Sequence, residues 1–421
     1  MQSSVFTGTR NNLLVWPTLP LIVQANSHGK TLPKDTSPSI KKLSPKGNWL
    51  MAEIQKDNPL KLCFVSPKAY SLFNPTVKGV FGGAEVDLYL LAAELAKDDK
   101  FDVSCITADY GQGEMEKIEK VTIIKSLNFK QNQITGAAKI WKAMKKVNAD
   151  IYIIKTASLG VPLAAVFCRL HKKVFVYRTA HQRECDGTYL KKHFFLGRAF
   201  ASSLRSAGII FAQNKDDSKK LKTTLRLDST VIPNGHRIPD ITAADKKTIL
   251  WVGRSADFKK PCLFLDLARR FPNEQFVMIC QKATGDNNYQ DLLTKTKQIE
   301  NLTFIEQVPF AEIDIFFRDA KIFVNTSDSE GFPNTFIQAA KQATPILSLN
   351  VNPDNFLDKY NCGINAKGDM NKMADSLASL LEGDRLPELG QNARKYVKKC
   401  HDIEQIIDQY KHLFVEVCPC Q

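Results

Sequence analysis

From residue 60 to the C-terminus, short apolar runs alternate with amphipathic stretches, and the alternation occurs as two series. The first series predicts strands at 62–66, 103–107, 121–124, 151–154, 174–177 and 209–212. Helical periodicity runs over 85–96, 135–147, 159–170 and 189–206 between them. The second predicts strands at 249–252, 275–279, 302–305, 322–325 and 345–349. Its helices are expected near 261–270, 289–299, 333–342, 370–381 and 386–401, with a last helix over 403–417. Such alternation demands a parallel sheet covered by helices on both faces. Between the series lies STVIPNGHRIPDITAADKK, where Pro233-Asn234-Gly235 is turn chemistry and the polar run behind it reads as a linker. The expected fold is α/β, with two doubly wound Rossmann-like domains facing each other across a cleft. The division expected is 1–58, 59–235, 236–402 and 403–421. Ligands on such sheets sit at the carboxyl ends of the strands, so the cleft is the default site.

Residues 1–58 differ from the rest. They are rich in Ser, Thr, Pro, Asn and Lys and lack periodicity, so an N-terminal extension without stable structure is expected. Met51 opens a natural start for the first strand, and residues 1–50 are expected to be an upstream translation or a tail outside the fold. No apolar run approaches the ~20 residues that span a bilayer. The piece from Leu13 to Val23 is broken by Pro17 and Pro20 and makes a poor signal peptide. The ten cysteines lack metal-type spacing, so reduced thiols in the cytoplasm are expected. The net charge of +14 falls in the first half of the chain. It suits an anionic partner surface, lipid headgroups or nucleic acid, or else a solvated basic face.

Four motifs carry the chemistry. Gly79-Val80-Phe81-Gly82-Gly83-Ala84-Glu85 lies between the first strand and a helix. Its glycines admit close backbone approach, and the helix start offers N–H groups to phosphate. It is neither Gly-x-Gly-x-x-Gly nor a Walker loop, and alone it would also serve as a plain turn. In Trp251-Val252-Gly253-Arg254-Ser255-Ala256-Asp257-Phe258-Lys259-Lys260-Pro261, Arg254 and Lys260 flank a strand-to-helix loop. A guanidinium fork and a lysine point charge suit a diphosphate. As mere surface cations at a helix N-terminus they would oppose the macrodipole. The third motif, SDSEGFPNTFIQAAKQATPILSL, starts at Ser327. Glu330 can accept hydroxyl hydrogen bonds, Gly331 permits close approach, and residues 332–336 can present N–H groups. Helix capping by Ser327, Asp328 or Ser329 is compatible with that role. The fourth, YRTAHQRECDGTY, puts His181 after a first-domain strand, among Arg178, Arg183 and Asp186. Such a histidine is either structural or functional.

Together GGAEVDLYLLAAEL, VIPNG, ILWVGRSADFKKP and SDSEGFPNTFIQAAKQATPILSLN resemble the retaining nucleotide-sugar glycosyltransferases of family 4, which have the GT-B fold. The resemblance runs from about residue 60 to the C-terminus. It implies an acceptor-side domain at 59–235, a nucleotide-sugar-binding domain at 236–402, and a segment 403–421 that crosses back to the first domain. Gly82 and Gly83 match the glycine loop facing the donor phosphates and sugar, and Arg254 and Lys260 match the cationic pair on the diphosphate. Glu330 matches the first acid of the Glu-x7-Glu motif. Gly331, Phe332, Pro333, Asn334 and Thr335 follow it in the donor-binding segment, and His181 falls near the first-domain histidine. Gln338 stands where a second acid binds ribose. Hydrogen bonds to charged groups contribute about 1.5–3 kcal/mol against about 1 for neutral ones, so the amide weakens that contact without removing it.

The resemblance further implies a hexosyltransferase that needs no cofactor and no metal, and the sequence contains no Asp-x-Asp motif. It implies a retaining, front-face displacement, with catalysis by Arg254, Lys260, Glu330 and His181. The implied partners are a nucleotide-diphosphate sugar and a glycan or lipid-linked glycan acceptor of cell-surface polysaccharide biosynthesis. KIWKAMKKVNAD and LKKHFFLGRAFASSLRS mix cations with apolar residues and suit peripheral contact with an anionic membrane at the cytoplasmic face. Core-packing helices with a cationic outer face would read the same way. The competing readings are a GT-B-type sugar epimerase, a degenerate nucleotide-sugar-binding protein, and a basic nucleic-acid-binding protein. No nucleic-acid-binding motif supports the last.

Overall fold

The computed structural model describes residues 58–241 and 244–418. The expectations for residues 1–57 and 419–421 concern positions outside that range. The first sheet contains β1 (Leu60–Val65), β2 (Phe101–Thr107), β3 (Met115–Ile118), β4 (Val121–Lys125), β5 (Ile151–Lys155), β6 (Val174–Arg178), β7 (Ile209–Ala212) and β8 (Thr230–Val231). Their order is β3-β4-β2-β1-β5-β6-β7-β8. Only β3 runs antiparallel to its neighbour. The sequence reading misses it because its hairpin turns through Glu119 and Lys120, at φ 49° and 65°. Glycine or asparagine would have advertised such a turn.

The second sheet contains β9 (Thr248–Arg254), β10 (Gln275–Gln281), β11 (Leu302–Ile305), β12 (Ala320–Asn325), β13 (Ile346–Ser348) and β14 (Gly363–Asn365), ordered β11-β10-β9-β12-β13-β14 and parallel throughout. Burial on both faces explains the continuous apolar character of β1, β5 and β12. The helix expected over 189–206 is two, Thr188–Lys192 and Phe194–Arg205. They cross so closely that a Cβ on Gly197 would lie 2.6 Å from Leu190 Cα. Among the described residues no helix is long and apolar enough to cross a membrane.

The topology places the cleft. In the first sheet β1 is flanked by β2 and β5, and in the second β9 is flanked by β10 and β12. Strand order reverses at these points, so the loops after β1, β5, β9 and β12 border open crevices. The helix Ile403–Val417 leaves the second sheet and packs on the first. Its Tyr410 and Phe414 rings lie 4.8 and 6.1 Å from Phe211, and Lys411 pairs with Asp98 at 2.8 Å. The two chain crossings run side by side: His236 N donates to His401 O at 2.8 Å and Ile403 N to His236 O at 3.0 Å.

A buried charge cluster ties these crossings to the first sheet. Asp87 sits on the buried face of the helix Gly83–Leu95 and is 3% exposed. Its carboxylate meets Lys155 Nζ at 2.8 Å and Arg178 Nε at 2.5 Å. Burial pushes the Asp87 carboxyl upward, but the charges and hydrogen bonds of Arg178 and Lys155 outweigh it and hold its pKa far below the usual range. Asn234 Oδ1 accepts from Arg178 at 2.8 Å and from Lys155 at 3.2 Å. His401 Nδ1 lies 2.8 Å from Asn234 O.

Burial pushes His236 down to about 3 and His401 to about 4, so both are neutral in the folded protein. The unfolded chain protonates them near pH ~6.5. Between about pH 6.5 and 4 the unfolded state therefore binds more protons, and stability falls as pH falls, by about 1.4 kcal/mol per unit for each histidine. The melting temperature is expected to decline on acidification from pH 7 to 4.5, less steeply in His401→Gln. A flat profile over that window would contradict the buried neutral histidines.

Candidate active site

Arg254 ends β9 and lines the cleft. The strand reaches it through Gly253, where a Cβ would come within 2.7 Å of the Trp251 ring. The loop then makes a turn over Asp257–Lys259, and Lys260 takes a left-handed conformation at φ 46° before Pro261 opens the next helix. That conformation turns Lys260 away from the cleft. Its amine meets Asp328 at 3.1 Å, and both side chains are half-exposed. The lysine that faces the cleft is Lys259, which pairs with Glu330. The structure thus brings Lys259, and not the expected Lys260, to the cleft beside Arg254. Adjacent lysines carry no periodicity signal in a loop, so only the backbone geometry distinguishes them.

The β9 and β12 loops are locked together. Trp251 Nε1 donates to Thr326 Oγ1 at 3.0 Å, Thr326 Oγ1 donates to Lys259 O at 2.7 Å, and Asp328 N donates to Phe258 O at 2.8 Å. Glu330 also accepts from Ser327 Oγ at 2.8 Å. Burial pushes the Glu330 carboxyl up, but the Lys259 charge and the hydrogen bonds from Lys259 and Ser327 bring it below its usual range. It is a carboxylate at neutral pH.

Behind it, Gly331 touches the first domain. A Cβ there would lie 1.8 Å from Gln213 Nε2 and 2.9 Å from Ala180 O. Phe332 is 4% exposed, with its ring 4.5 Å from that of His401. Its side chain belongs to the core, so only its backbone can meet a ligand. Pro333 has no N–H to offer and caps the helix Asn334–Lys341. The first-turn N–H groups of that helix, including those of Asn334 and Thr335, have no partner within the helix. Asn334 Nδ2 donates across the cleft to Gly83 O at 2.6 Å. Gln338 lies on the same helix, 6% exposed, and lines the cleft.

The first domain supplies the opposite wall. Gly82 N donates to Glu85 Oε2 at 2.8 Å at the start of the helix Gly83–Leu95. A Cβ on Gly82 would lie 3.2 Å from the Arg254 guanidinium. The expected glycine loop and the expected arginine therefore face each other. His181 follows β6 and rests edge-on against Phe258, ring centres 5.2 Å apart. Its Nδ1 accepts from Arg183 N at 3.2 Å, which leaves the proton on Nε2. Burial lowers its pKa, and the Arg183 and Lys259 charges oppose the opposite pull of Glu330, so the ring is neutral at pH 7.

The cavity between these walls measures about 360 Å³. Five polar atoms of its lining residues are buried without a partner among the described residues: Thr156 Oγ1, His181 Nε2, Gln213 Nε2, Gln281 Oε1 and Thr335 Oγ1. Buried polar atoms are paired in the great majority of cases. Five unpaired ones around one cavity indicate a polar, hydrogen-bonding ligand. All of the expected site residues except Lys260 line it. The sequence reading missed Lys259, Lys155, Gln213 and Asn234, which also line it, and Asp87 behind it. Asp87 had a signal, as a carboxylate next to the apolar run Leu88–Ala93. Asn234 was visible only as turn chemistry.

Comparison with known proteins follows the same division. Residues 81–237 match the family model described as Glycosyltransferase Family 4, and residues 237–399 the one described as Glycosyl transferases group 1. An O-antigen biosynthesis glycosyltransferase of Escherichia coli, WbnH, is 24% identical over 225 residues, 51% of this chain and 62% of its own. The chain thus matches less than two thirds of that relative's length. The E. coli UDP-Gal:alpha-D-GlcNAc-diphosphoundecaprenol alpha-1,3-galactosyltransferase is 22% identical over 361 residues, 77% of this chain and 91% of its own. Sucrose-phosphate synthase from Thermosynechococcus elongatus superimposes with a TM-score of 0.69 at 15% identity, covering 85% of this chain and 99% of its own. That likeness shows a shared GT-B fold.

The two lysines make a direct test of the local geometry. Lys259→Ala leaves a mostly buried carboxylate without its cation and is expected to cost about 2 kcal/mol at pH 7 by chemical denaturation. Lys260→Ala removes a solvated pair and is expected to stay within about 0.5 kcal/mol. The reverse ranking would contradict the placement of Lys259.

Proposed function

The chain belongs to the family 4 glycosyltransferases, and on that premise we propose that it is a retaining hexosyltransferase using a nucleotide-diphosphate sugar in polysaccharide biosynthesis. The observation that carries this reading is Arg254. Its guanidinium lies against Gly82 across the cleft and makes no ion pair or hydrogen bond with the described residues. An unpaired guanidinium beside two helix N-termini is suited to a diphosphate.

The donor diphosphate would lie between Arg254, Lys259 and the first-turn N–H groups of the helix Asn334–Lys341. Glu330, already ionised, would accept a hydroxyl of the transferred sugar, and the Gln338 carbonyl a ribose hydroxyl. Two carboxylates line the cavity, Glu184 and Glu330. Glu184 accepts from Ala157 N, Ala180 N and Tyr177 Oη. Glu330 is held by Lys259 and Ser327. With both engaged, neither is poised as a nucleophile, which supports a front-face displacement. In that step the anomeric carbon–phosphate oxygen bond breaks, and the acceptor hydroxyl forms the new bond on the same face. Its proton passes to the departing phosphate oxygen. The cations and helix N-termini stabilise the leaving charge without requiring a metal. The neutral His181 would hold the sugar through Nε2–H. Enclosure between the domains would limit hydrolysis.

We assign the acceptor to the lipid-linked class, at the cytoplasmic membrane face. One relative's name specifies a diphosphoundecaprenol-linked acceptor. In this chain Phe194 and Phe195 are 56% and 84% exposed, beside the exposed Lys191, Lys192 and Arg198. Aromatic side chains among cations suit an anionic interface. Flotation with phosphatidylglycerol vesicles is expected to carry the wild type but not Phe195→Asp. Equal flotation of both, or of neither, would remove that surface from the account.

Thermal melts with UDP, GDP, ADP and CMP and their common hexose conjugates test the core reading. A ligand at 100 times its Kd adds about 2.7 kcal/mol of stability. One nucleoside diphosphate is expected to stabilise the wild type, and Arg254→Ala far less. No shift from any of them, with salt-dependent RNA binding instead, would make Arg254 a surface cation and end the transferase reading.

A further inference from the structure

Gln213 follows β7 and is 2% exposed, yet its Nε2 has no partner among the described residues. The atom sits at the cavity wall against Gly331, next to the sugar-facing Glu330 of the proposed site. A buried amide could bury its oxygen or its nitrogen toward a ligand, and the two choices recognise opposite partners. Here the surrounding hydrogen bonds decide between them.

The decision begins at the charge cluster. Arg178 and Lys155 can only donate, so the end of Asn234 that faces both of them must be its oxygen. Asn234 Nδ2 therefore points the other way, toward Phe332 O at 3.1 Å, Asn334 Oδ1 at 3.0 Å and Gln213 at 3.2 Å. A donor at that distance requires the Gln213 oxygen. That leaves Nε2 as the end packed against Gly331 in the cavity wall, without a partner among the described residues. The polarity of Gln213 is thus set, through one intervening amide, by the two cations around Asp87.

Resting on the transferase reading, we propose that Gln213 is a binding residue for the transferred sugar, its Nε2–H donating to a ring hydroxyl held over Gly331. The chemistry favours the hexosyl group over the diphosphate. Arg254 and Lys259 supply the cationic wall. Gln213 instead offers a neutral donor near the Glu330 acceptor, with a second neutral donor at His181 Nε2. Alternating donors and acceptors around a pocket match hydroxyl groups, which both give and accept. The residue is also one of the contacts that would distinguish a sugar with a hydroxyl there from one lacking it, since a site built to bond a hydroxyl is left with an unpaired group by the analogue.

The test compares wild type, Gln213→Met and Gln213→Glu. Methionine keeps the volume and removes both polar ends. Glutamate keeps an acceptor for Asn234 but cannot donate when ionised. For each, Kd is measured by calorimetry for the nucleoside diphosphate and for its hexose conjugate, after a melt confirms folding. Both variants are expected to bind the nucleoside diphosphate within about twofold of wild type. The added affinity from the sugar is expected to fall about tenfold, as for a lost hydrogen bond in a dry site. An unchanged sugar increment in a folded variant would overturn the proposal and leave the transferase reading standing. Equal loss for both ligands would also overturn it, making Gln213 structural. A wild type that binds neither ligand overturns both readings.

Discussion

Asp87 is one negative charge shared by two buried cations, and the geometry of the cleft follows from that imbalance. Lys155 and Arg178 need more acceptors than one carboxylate provides. They take the Asn234 side-chain oxygen, and Arg178 also takes the carbonyls of Ile232 and Pro233 at 2.9 and 3.1 Å. The first chain crossing between domains is thereby pinned to the ends of β5 and β6. Removing one partner from such a cluster strands the others at a cost of about 3–5 kcal/mol. The network therefore fixes the position of the crossing more than it adds net stability.

From Asn234 the same constraint spreads into both walls. Its amide nitrogen reaches Phe332 O and Asn334 on the second domain, and Asn334 in turn reaches Gly83 O on the first. The glycine loop, the start of the helix Asn334–Lys341 and Gln213 are all oriented by bonds that lead back to one buried ion cluster. Preorganised dipoles of this kind need little rearrangement when a charged ligand arrives, which is where electrostatic catalysis gains most.

The sequence makes the architecture legible because two-sided burial writes itself as apolar runs at β1, β5, β9 and β12. Short or hairpin pieces such as β3 and β14 escape, since three or four residues carry little pattern. Glycine positions were legible for a related reason: Gly82, Gly83 and Gly331 each lie where a Cβ would press on the opposite domain. Which lysine enters the cleft was not legible. Lys259 and Lys260 are chemically equal, and the choice rests on the left-handed turn at Lys260. Nor was Asn234, whose role depends on residues 56 and 147 positions earlier in the chain. Long-range polar networks leave no local periodicity, so a sequence shows their members only as isolated charges or turn residues.

The central claim is that a nucleotide sugar is held by both walls at once. Amide hydrogen exchange tests it most directly, with the full chain alone and saturated in turn with UDP-hexoses, GDP-mannose and ADP-glucose. The account predicts that one conjugate slows exchange together at 79–85 in the first domain and at 326–338 in the second. Protection confined to a single domain, or at neither segment with any conjugate, would contradict it.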